Sequence, residues 1–349
     1  MHVLSRLKTK FVNFTARLAY PVLSRSIEAE MESKWKTFGL ESTNACNARC
    51  SFCVYRLNTD KRKKGSVNPK VLEHCLKLLS HTNDDFFSFI SILGDPLADA
   101  KLLDNIKTIK TYDKIKHISI YSNLIGLDNF DLDDFVTSGI TSLSISISLG
   151  GDQMYKRLFG VDCYEKVANG LLKLLDCNKK HGEPITIVVL GRMDYPIETN
   201  LDIALMDKLK QYLPSNRIDI LPNEMWDDWN GAIAKEDLPL GGTFRSQIND
   251  KTIPCYALYR KIQVLKDGEI SVCSCRLSPE LVTGNIMDYS SLEKYWLSES
   301  LLNFRRKWFE GDIPSICRGC NHYHPYTVLI EKRVREKTVS FLKKLLLIS

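Results

Sequence analysis

The stretch 46-CNARCSFC-53 puts three of the chain's eleven cysteines within eight residues. Thiolates are ligands for zinc and for iron–sulfur clusters, and clustered cysteines in a reducing compartment read as metal ligands before they read as disulfides. Three thiolates fall one short of a closed tetrahedral zinc or a fully ligated four-iron cluster. Either a fourth ligand arrives from elsewhere in the chain, or one iron of a [4Fe–4S] cluster stays open to bind a small molecule. The second arrangement is an enzyme's.

A second constellation lies in the last hundred residues. KIQVLKDGEISVCSC has two alternating runs around Asp267-Gly268, a hairpin signal that brings Cys255 near Cys273. Cys317-x-x-Cys320 follows a helical segment over 290–309 and supplies two further thiolates, so these four complete a closed site, either an iron–sulfur cluster or a structural zinc. Cys275 is the spare thiol: an alternative ligand, an inert neighbour or, if the chemistry implied by the family resemblance below applies, a hydrogen donor to a substrate radical. His322 and His324, just past the knuckle, read as surface residues or substrate contacts. Cys75, Cys163 and Cys177 stand singly and read as core or surface thiols.

The elements that position these residues follow from periodicity. Between about 38 and 222, apolar β-rich runs (FGLEST, FFSFISIL, HISIYS, SLSISISL, ITIVVL, RIDIL) alternate with helix-period segments over 69–80, 99–111, 129–138, 162–180 and 200–213. Six strands separated by five helices predict an α/β fold, a partial (β/α)6 barrel whose strand C-terminal ends share one edge. The cysteine stretch follows the first strand and so lies on that edge, with Gly94-Asp95-Pro96 after the second strand and Ser122-Asn123 after the third. Residues 223–251, rich in Gly, Pro, Asp and Asn, read as a linker or a substrate-facing loop.

CxxxCxxC after a first strand resembles the radical S-adenosylmethionine (SAM) superfamily, over roughly residues 38–325. The resemblance implies that Cys46, Cys50 and Cys53 hold a [4Fe–4S] cluster whose open iron binds SAM. An electron from that cluster then cleaves SAM to methionine and a 5′-deoxyadenosyl radical. It further implies that Phe52 packs on adenine and that Gly94, Asp95 and Pro96 stand for the Gly-Glu-Pro turn that receives the SAM amino group, with Asp in place of Glu. Ser122, Asn123 and Ser148 would reach the methionine or ribose part, and Arg192 the SAM carboxylate, with a structural loop role open for Ser148 and Arg192. Cys255, Cys273, Cys317 and Cys320 resemble the SPASM extension in its shortened, twitch-like form, because no cysteine follows Cys320. That implies one auxiliary [4Fe–4S] cluster, with structural zinc as the alternative, in a small hairpin-plus-helix domain.

The domains expected are a basic amphipathic helix at 1–36, the core barrel at 37–225, the auxiliary domain at 226–325 and a second basic helix at 326–349. Residues 1–36 carry seven Lys/Arg against three Glu and 326–349 six against two, so the tails hold +8 of a net +6 and the body is near −2. A body so charged is not a nucleic-acid surface. The terminal helices either dock on the body or contact an anionic membrane surface. With no signal-like apolar run, the chain is expected to be cytoplasmic, or peripheral at the inner membrane face. The leading reading is oxidation, dehydration or epimerisation of a hydroxylated small molecule such as a sugar or cyclitol, in glycan-linked form or free. A reducing partner such as flavodoxin or ferredoxin would supply the electron. Modification of a ribosomally made peptide is the alternative, and a membrane-held cluster scaffold a third. Tyr121, Asp152, Tyr155, Glu224 and Asp227 are candidate bases among which the sequence does not choose.

Overall fold

The computed structural model describes residues 2–346 except 91, 214 and 274, with the backbone alone at 2–13, 17 and 342–346. A long helix α1 (His2–Ser33) leads into β1 (Thr37–Glu41). Then come α2 (Pro69–Ser80), β2 (Phe86–Ile90), α3 (Leu102–Lys110), β3 (His117–Ser122), α4 (Leu132–Thr137), β4 (Ser142–Ile147), α5 (Gly151–Phe159), α6 (Tyr164–Lys180), β5 (Thr186–Gly191), α7 (Ile203–Lys210) and β6 (Arg217–Ile220). The six expected strands pair in parallel in sequence order. Helix boundaries carry their own signals: Asn68 caps the Lys70 N–H with Pro69 in the first turn of α2, and Asp202 caps the Leu205 N–H of α7. The short α5 was not expected. Gly151, at φ 80°, lets the chain turn into it directly after β4.

Past residue 251 the chain forms β7 (Lys261–Val264), β8 (Glu269–Ser271) and β9 (Val282–Asn285), then α8 (Leu292–Trp296), α9 (Glu299–Phe309), α10 (Ser315–Arg318) and α11 (Thr327–Leu346). The β7–β8 hairpin turns at Gly268, at φ 95°, as the Asp-Gly signal predicts. The helix expected over 290–309 is divided in two, because Ser298 caps the Leu301 N–H and restarts the chain as α9. One result lies outside the sequence pattern altogether: β7 pairs in parallel with β1, from Thr37↔Lys261 to Leu40↔Val264. The sheet therefore runs without a break as β6-β5-β4-β3-β2-β1-β7-β8-β9, with β6 and β9 as its open edges.

Alternation decides what each face of the sheet meets. Leu40, Phe87, Phe89, Ile118, Ile120, Leu143, Ile145, Ile187 and Val189 are buried. Covering each side chain of this kind contributes roughly 1.5–3 kcal/mol. The intervening positions, including Ser88, Ser119, Tyr121 and Ser144, are half-buried. A second, smaller core joins Val54, Ile92, Leu93, Trp226, Ile233, Leu238 and Leu265. Residues 223–251 thus form a packed cover over the cysteine loop instead of a free linker. At the other end of the body, Ile27, Met31 and Trp35 of the chain's first segment and Ile330 and Val334 of α11 are buried in the main core.

Glu41, fully buried at the end of β1, accepts from Arg62 Nη1 and Nη2 at 2.7 and 2.9 Å and from the Lys266 backbone N–H at 3.1 Å. Arg62 also donates to Asp60, whose own burial opposes ionisation but whose bonds to Arg62 outweigh it and hold its carboxyl below the usual value. This network fastens the cysteine loop and the β7–β8 hairpin to one strand end. Arg62→Ala strands the Glu41 charge in the core and is expected to cost about 3–5 kcal/mol. Anaerobic urea unfolding of the apoprotein measures it, and a loss below about 1 kcal/mol would show that water reaches Glu41.

Candidate functional site

Cys46, Cys50 and Cys53 lie on the loop that leaves the C-terminal end of β1, and neighbouring elements fix that loop at many points. The Arg49 and Ser51 N–H groups donate to the carbonyls of Phe159 and Leu158 at 2.9 Å each, the Cys46 N–H to Tyr55 Oη at 2.9 Å, and Ser51 Oγ to the Asp237 carbonyl at 2.6 Å. Burial pushes all three thiols above their ordinary value, Cys46 to about 12, and the neighbouring thiols of the set add to the effect at Cys46 and Cys50. Such thiols are poor free nucleophiles. They ionise when a metal displaces their protons, which is the behaviour of a ligand set.

The residues expected around SAM gather on this edge. Gly94 sits where a Cβ would come 2.0 Å from the Thr43 carbonyl oxygen, so only glycine lets the end of the second βα unit press against the cysteine loop. The Asp95 N–H donates to the Ala45 carbonyl at 2.8 Å, and its carboxylate accepts from the Leu97 N–H (2.9 Å), Ser122 Oγ (2.8 Å) and the Asn123 N–H (2.6 Å). Pro96 opens the single turn that follows. Asn123 Nδ2 points back at Asn47 Oδ1 (2.9 Å) and at Cys46 Sγ (3.7 Å). Phe52 packs edge-on to Phe159 and, at 4.9 Å between ring centroids, against Trp226. Arg192 lies over the Phe52 and Trp226 rings at 5.8 and 5.6 Å while donating to Ser146 Oγ and Tyr121 Oη. Ser148 is fully buried and its Oγ accepts from the Gly150 N–H at 3.3 Å, which closes its own turn.

The second thiol set occupies the opposite edge of the sheet. Cys255 precedes β7 and Cys273 follows the antiparallel β8, so both lie beside the N-terminal end of β7. They line one pocket with Cys275, Cys317 and Cys320. Burial raises Cys255 to about 11 and Cys317 to about 12, and raises Cys320; Cys273 is raised by its bond to the Cys275 thiol, with burial adding to it. The four thiols expected as ligands thus share one pocket, with Cys275 as a fifth. His322 lines this pocket, whereas the His324 ring lies tilted to that of Tyr256, 6.0 Å between centroids.

Of the candidate bases, Tyr121 faces the inner side of the sheet beside Arg192, and Asp227 pairs with Arg276 at the second site. Tyr155 is fully buried and stacked on Phe159, and Asp152 and Glu224 are exposed or nearly so. Residues missed from the sequence are Trp226, which meets Phe52 and also accepts through its carbonyl from Asn321 Nδ2, and Lys261. Lys261 lines a cavity of about 310 Å³ on the inner face together with Ser88, Ser119, Tyr121 and Ser144. No local signal marks either residue.

Residues 40–203 match the family model described as the radical SAM superfamily, and residues 255–321 match that of an iron-sulfur cluster-binding domain, SPASM. A probable GTP 3′,8-cyclase of Methanocaldococcus jannaschii is 26% identical over 143 residues, 40% of this chain and 46% of the relative. A GTP 3′,8-cyclase of Pasteurella multocida is 28% identical over 135 residues, 38% and 39% of the two chains. The chain thus aligns with less than half the length of these curated relatives. Among solved structures, BtrN in complex with AdoMet and 2-DOIA superposes with TM-score 0.53 at 15% identity, covering 84% of this chain and 95% of that one. SuiB of Streptococcus suis bound to precursor peptide SuiA gives 0.53 at 15% identity, covering 83% and 70%. anSMEcpe with bound AdoMet gives 0.52 at 15% identity, covering 89% and 95%. These likenesses are likenesses of fold.

Anaerobic reconstitution is expected to yield about eight irons per chain, and about four in a Cys46→Ala/Cys50→Ala/Cys53→Ala variant. One zinc in place of four irons would make the second site structural. Gly94→Ala, by displacing Thr43 and Asn44, is expected to lose about the same four irons as the triple variant; full iron content would show that the cysteine loop tolerates the displacement.

Proposed function

Because this chain is a radical SAM enzyme that carries a SPASM iron–sulfur domain, we propose that it removes hydrogen from a hydroxylated small molecule, a sugar or cyclitol, held on the inner face of its open sheet. The observation that carries the reading is one row of side chains. Parallel register aligns Gln263, Gly39, Ser88, Ser119, Ser142 and Thr186 across six strands. Ser88, Ser119 and Ser142 stand where a buried sheet face ordinarily carries branched apolar side chains, and the 310 Å³ cavity opens beside Ser88 and Ser119. Gln263 Oε1 and Thr37 Oγ1, both buried, have no hydrogen-bond partner among the described residues, and Thr37 shares this face through its register with Lys261. Hydroxyl groups of a polyol satisfy such atoms, and a site built this way discriminates against substrates that lack them.

In this reading Cys46, Cys50 and Cys53 hold the SAM-binding cluster, and Cys255, Cys273, Cys317 and Cys320 the auxiliary one. Reduced by a flavodoxin- or ferredoxin-type donor, the first cluster supplies the electron that turns SAM into methionine and a hydrogen-abstracting 5′-deoxyadenosyl radical. Phe52 and Arg192 orient SAM, with Gly94-Asp95-Pro96, Ser122, Asn123 and Ser148 shaping the rest of its site. The serine row orients the substrate hydroxyls. Lys261 Nζ, which burial holds below the ordinary lysine value, lines the same cavity and in this reading accepts a hydroxyl proton.

The terminal helices support the membrane-surface part of this reading. Phe14, Leu18 and Val22 recur every four residues along α1 and are 61%, 65% and 77% exposed, and Phe341 of α11 is 60% exposed. Among the described residues no helix is long and apolar enough to cross a membrane. An exposed apolar stripe among basic residues suits the inner membrane surface, where a lipid-linked glycan would be met.

The reaction is tested by dithionite-driven SAM cleavage with perdeuterated sugars and cyclitols, with peptides, and with GTP because the curated relatives are described as GTP cyclases. Deuterium is expected in 5′-deoxyadenosine from the polyols alone, and transfer from peptide or GTP would overturn the reading. Vesicle sedimentation tests the surface: binding to phosphatidylglycerol vesicles is expected to weaken with salt and to drop about tenfold in Leu18→Glu/Val22→Glu. Equal binding by that exposed-site variant would reject the stripe.

A further inference from the structure

Two buried cations flank the second thiol site, and their partners differ. Arg276, 1% exposed, forms a bidentate pair with Asp227 (Nη1 to Oδ2 2.6 Å, Nη2 to Oδ1 2.7 Å) and lies over the Trp229 ring at 4.8 Å. Its charge is largely neutralised where it stands. Lys251, 5% exposed, donates instead to three backbone carbonyls of the cysteine knuckle: Cys317 at 3.0 Å, Arg318 at 2.5 Å and Cys320 at 3.0 Å. Three donated bonds are what an ammonium provides and a neutral amine cannot. All three acceptors are uncharged, so the ammonium keeps its full field inside the protein, within reach of three of the four thiols, Cys255, Cys317 and Cys320. The Lys251 carbonyl in turn accepts from Trp308 Nε1 at 2.7 Å, which fixes the backbone at the root of the side chain.

We propose that Lys251 is a redox-tuning residue, which raises the reduction potential of the cluster held by Cys255, Cys273, Cys317 and Cys320, with Asp227 limiting the contribution of Arg276. The proposal rests on the reading of these thiols as iron–sulfur ligands. A four-thiolate cluster gains one negative charge on reduction. A fixed cation a few ångströms away in a low-dielectric surrounding favours that state, and a carboxylate disfavours it. Buried ammonium groups held only by neutral carbonyls are costly to the fold. The cost is offset when the site carries a permanent anion, which the liganded cluster is. An auxiliary centre tuned upward is suited to accept an electron from a substrate radical, and so to give an oxidised product.

The test measures potential, which needs no substrate. In the full-length Cys46→Ala/Cys50→Ala/Cys53→Ala background, reconstituted anaerobically, only the second cluster remains, and an EPR-monitored redox titration gives its midpoint. Lys251→Gln is expected to lower the reduced-to-oxidised ratio at the parent midpoint about tenfold, ~59 mV for a one-electron couple. Asp227→Asn, which frees the Arg276 charge while preserving shape, is expected to shift the ratio in the opposite direction. Lys251→Arg is expected to return the midpoint toward the parent value. Opposite signs separate electrostatics from loosened packing, which would admit water and move both variants the same way. Should Lys251→Gln lose its iron, the Asp227→Asn shift still decides. Full iron with unmoved midpoints, or shifts of one sign, overturns the role of Lys251, whereas zinc in the site overturns the cluster reading beneath it.

Discussion

The parallel pairing of β1 with β7 is the contact on which the rest of the arrangement depends. β1 ends in the CxxxCxxC loop, and β7 begins just after Cys255. Because the two strands run the same way in register, the first thiol set is placed at the C-terminal edge of the sheet and the second at the N-terminal edge. The inner face between them carries the polar row and the cavity. Had β7 joined in the opposite sense, both sets would lie on one edge and no shared face would separate them. The buried Glu41–Arg62 pair and the bond from the Lys266 N–H to Glu41 hold that pairing at the end where misregister would be costliest.

Residues 223–251 perform a second unifying task. Trp226 rests on Phe52 at the first site, Asp237 accepts from Ser51 and pairs with Arg56, Asp227 holds Arg276, and Lys251 clasps the knuckle of the second site. One covering segment therefore touches both thiol sets. Its small apolar core, with Ile233 and Leu238 buried against Val54 and Leu93, excludes water from above the cysteine loop. Exclusion of water strengthens every charge interaction beneath the cover and protects reactive intermediates from side reactions.

The two sites differ in how they treat charge. At the first, burial raises the thiols while Arg192 is held over aromatic rings and bonded to neutral hydroxyls of Ser146 and Tyr121. At the second, cations are buried against the ligand-bearing backbone itself. The surroundings of a thiol set tune whatever centre it holds, and here those surroundings differ.

The sequence by itself determined the chemistry and most of the parts. Spacing within CxxxCxxC and CxxC fixes which thiols share a loop, since a few residues of chain cannot carry them apart. Alternation in runs such as HISIYS and SLSISISL fixes strands, because a period of two survives in any surrounding, and Asp267-Gly268 fixes its hairpin through a positive φ that glycine adopts without strain. Glycine at 94 was noted as part of a turn, but its reason, an approach of the Thr43 carbonyl too close for any Cβ, exists only in three dimensions. The union of β7 with β1, the alignment of Ser88, Ser119 and Ser142 into one row, the cover formed by 223–251 and the position of Lys251 beneath the knuckle were decided by tertiary structure alone. Each joins residues far apart in the chain through register and packing, and neither leaves a periodicity in the sequence: a single serine or lysine reads the same whether solvent or a cluster lies beside it.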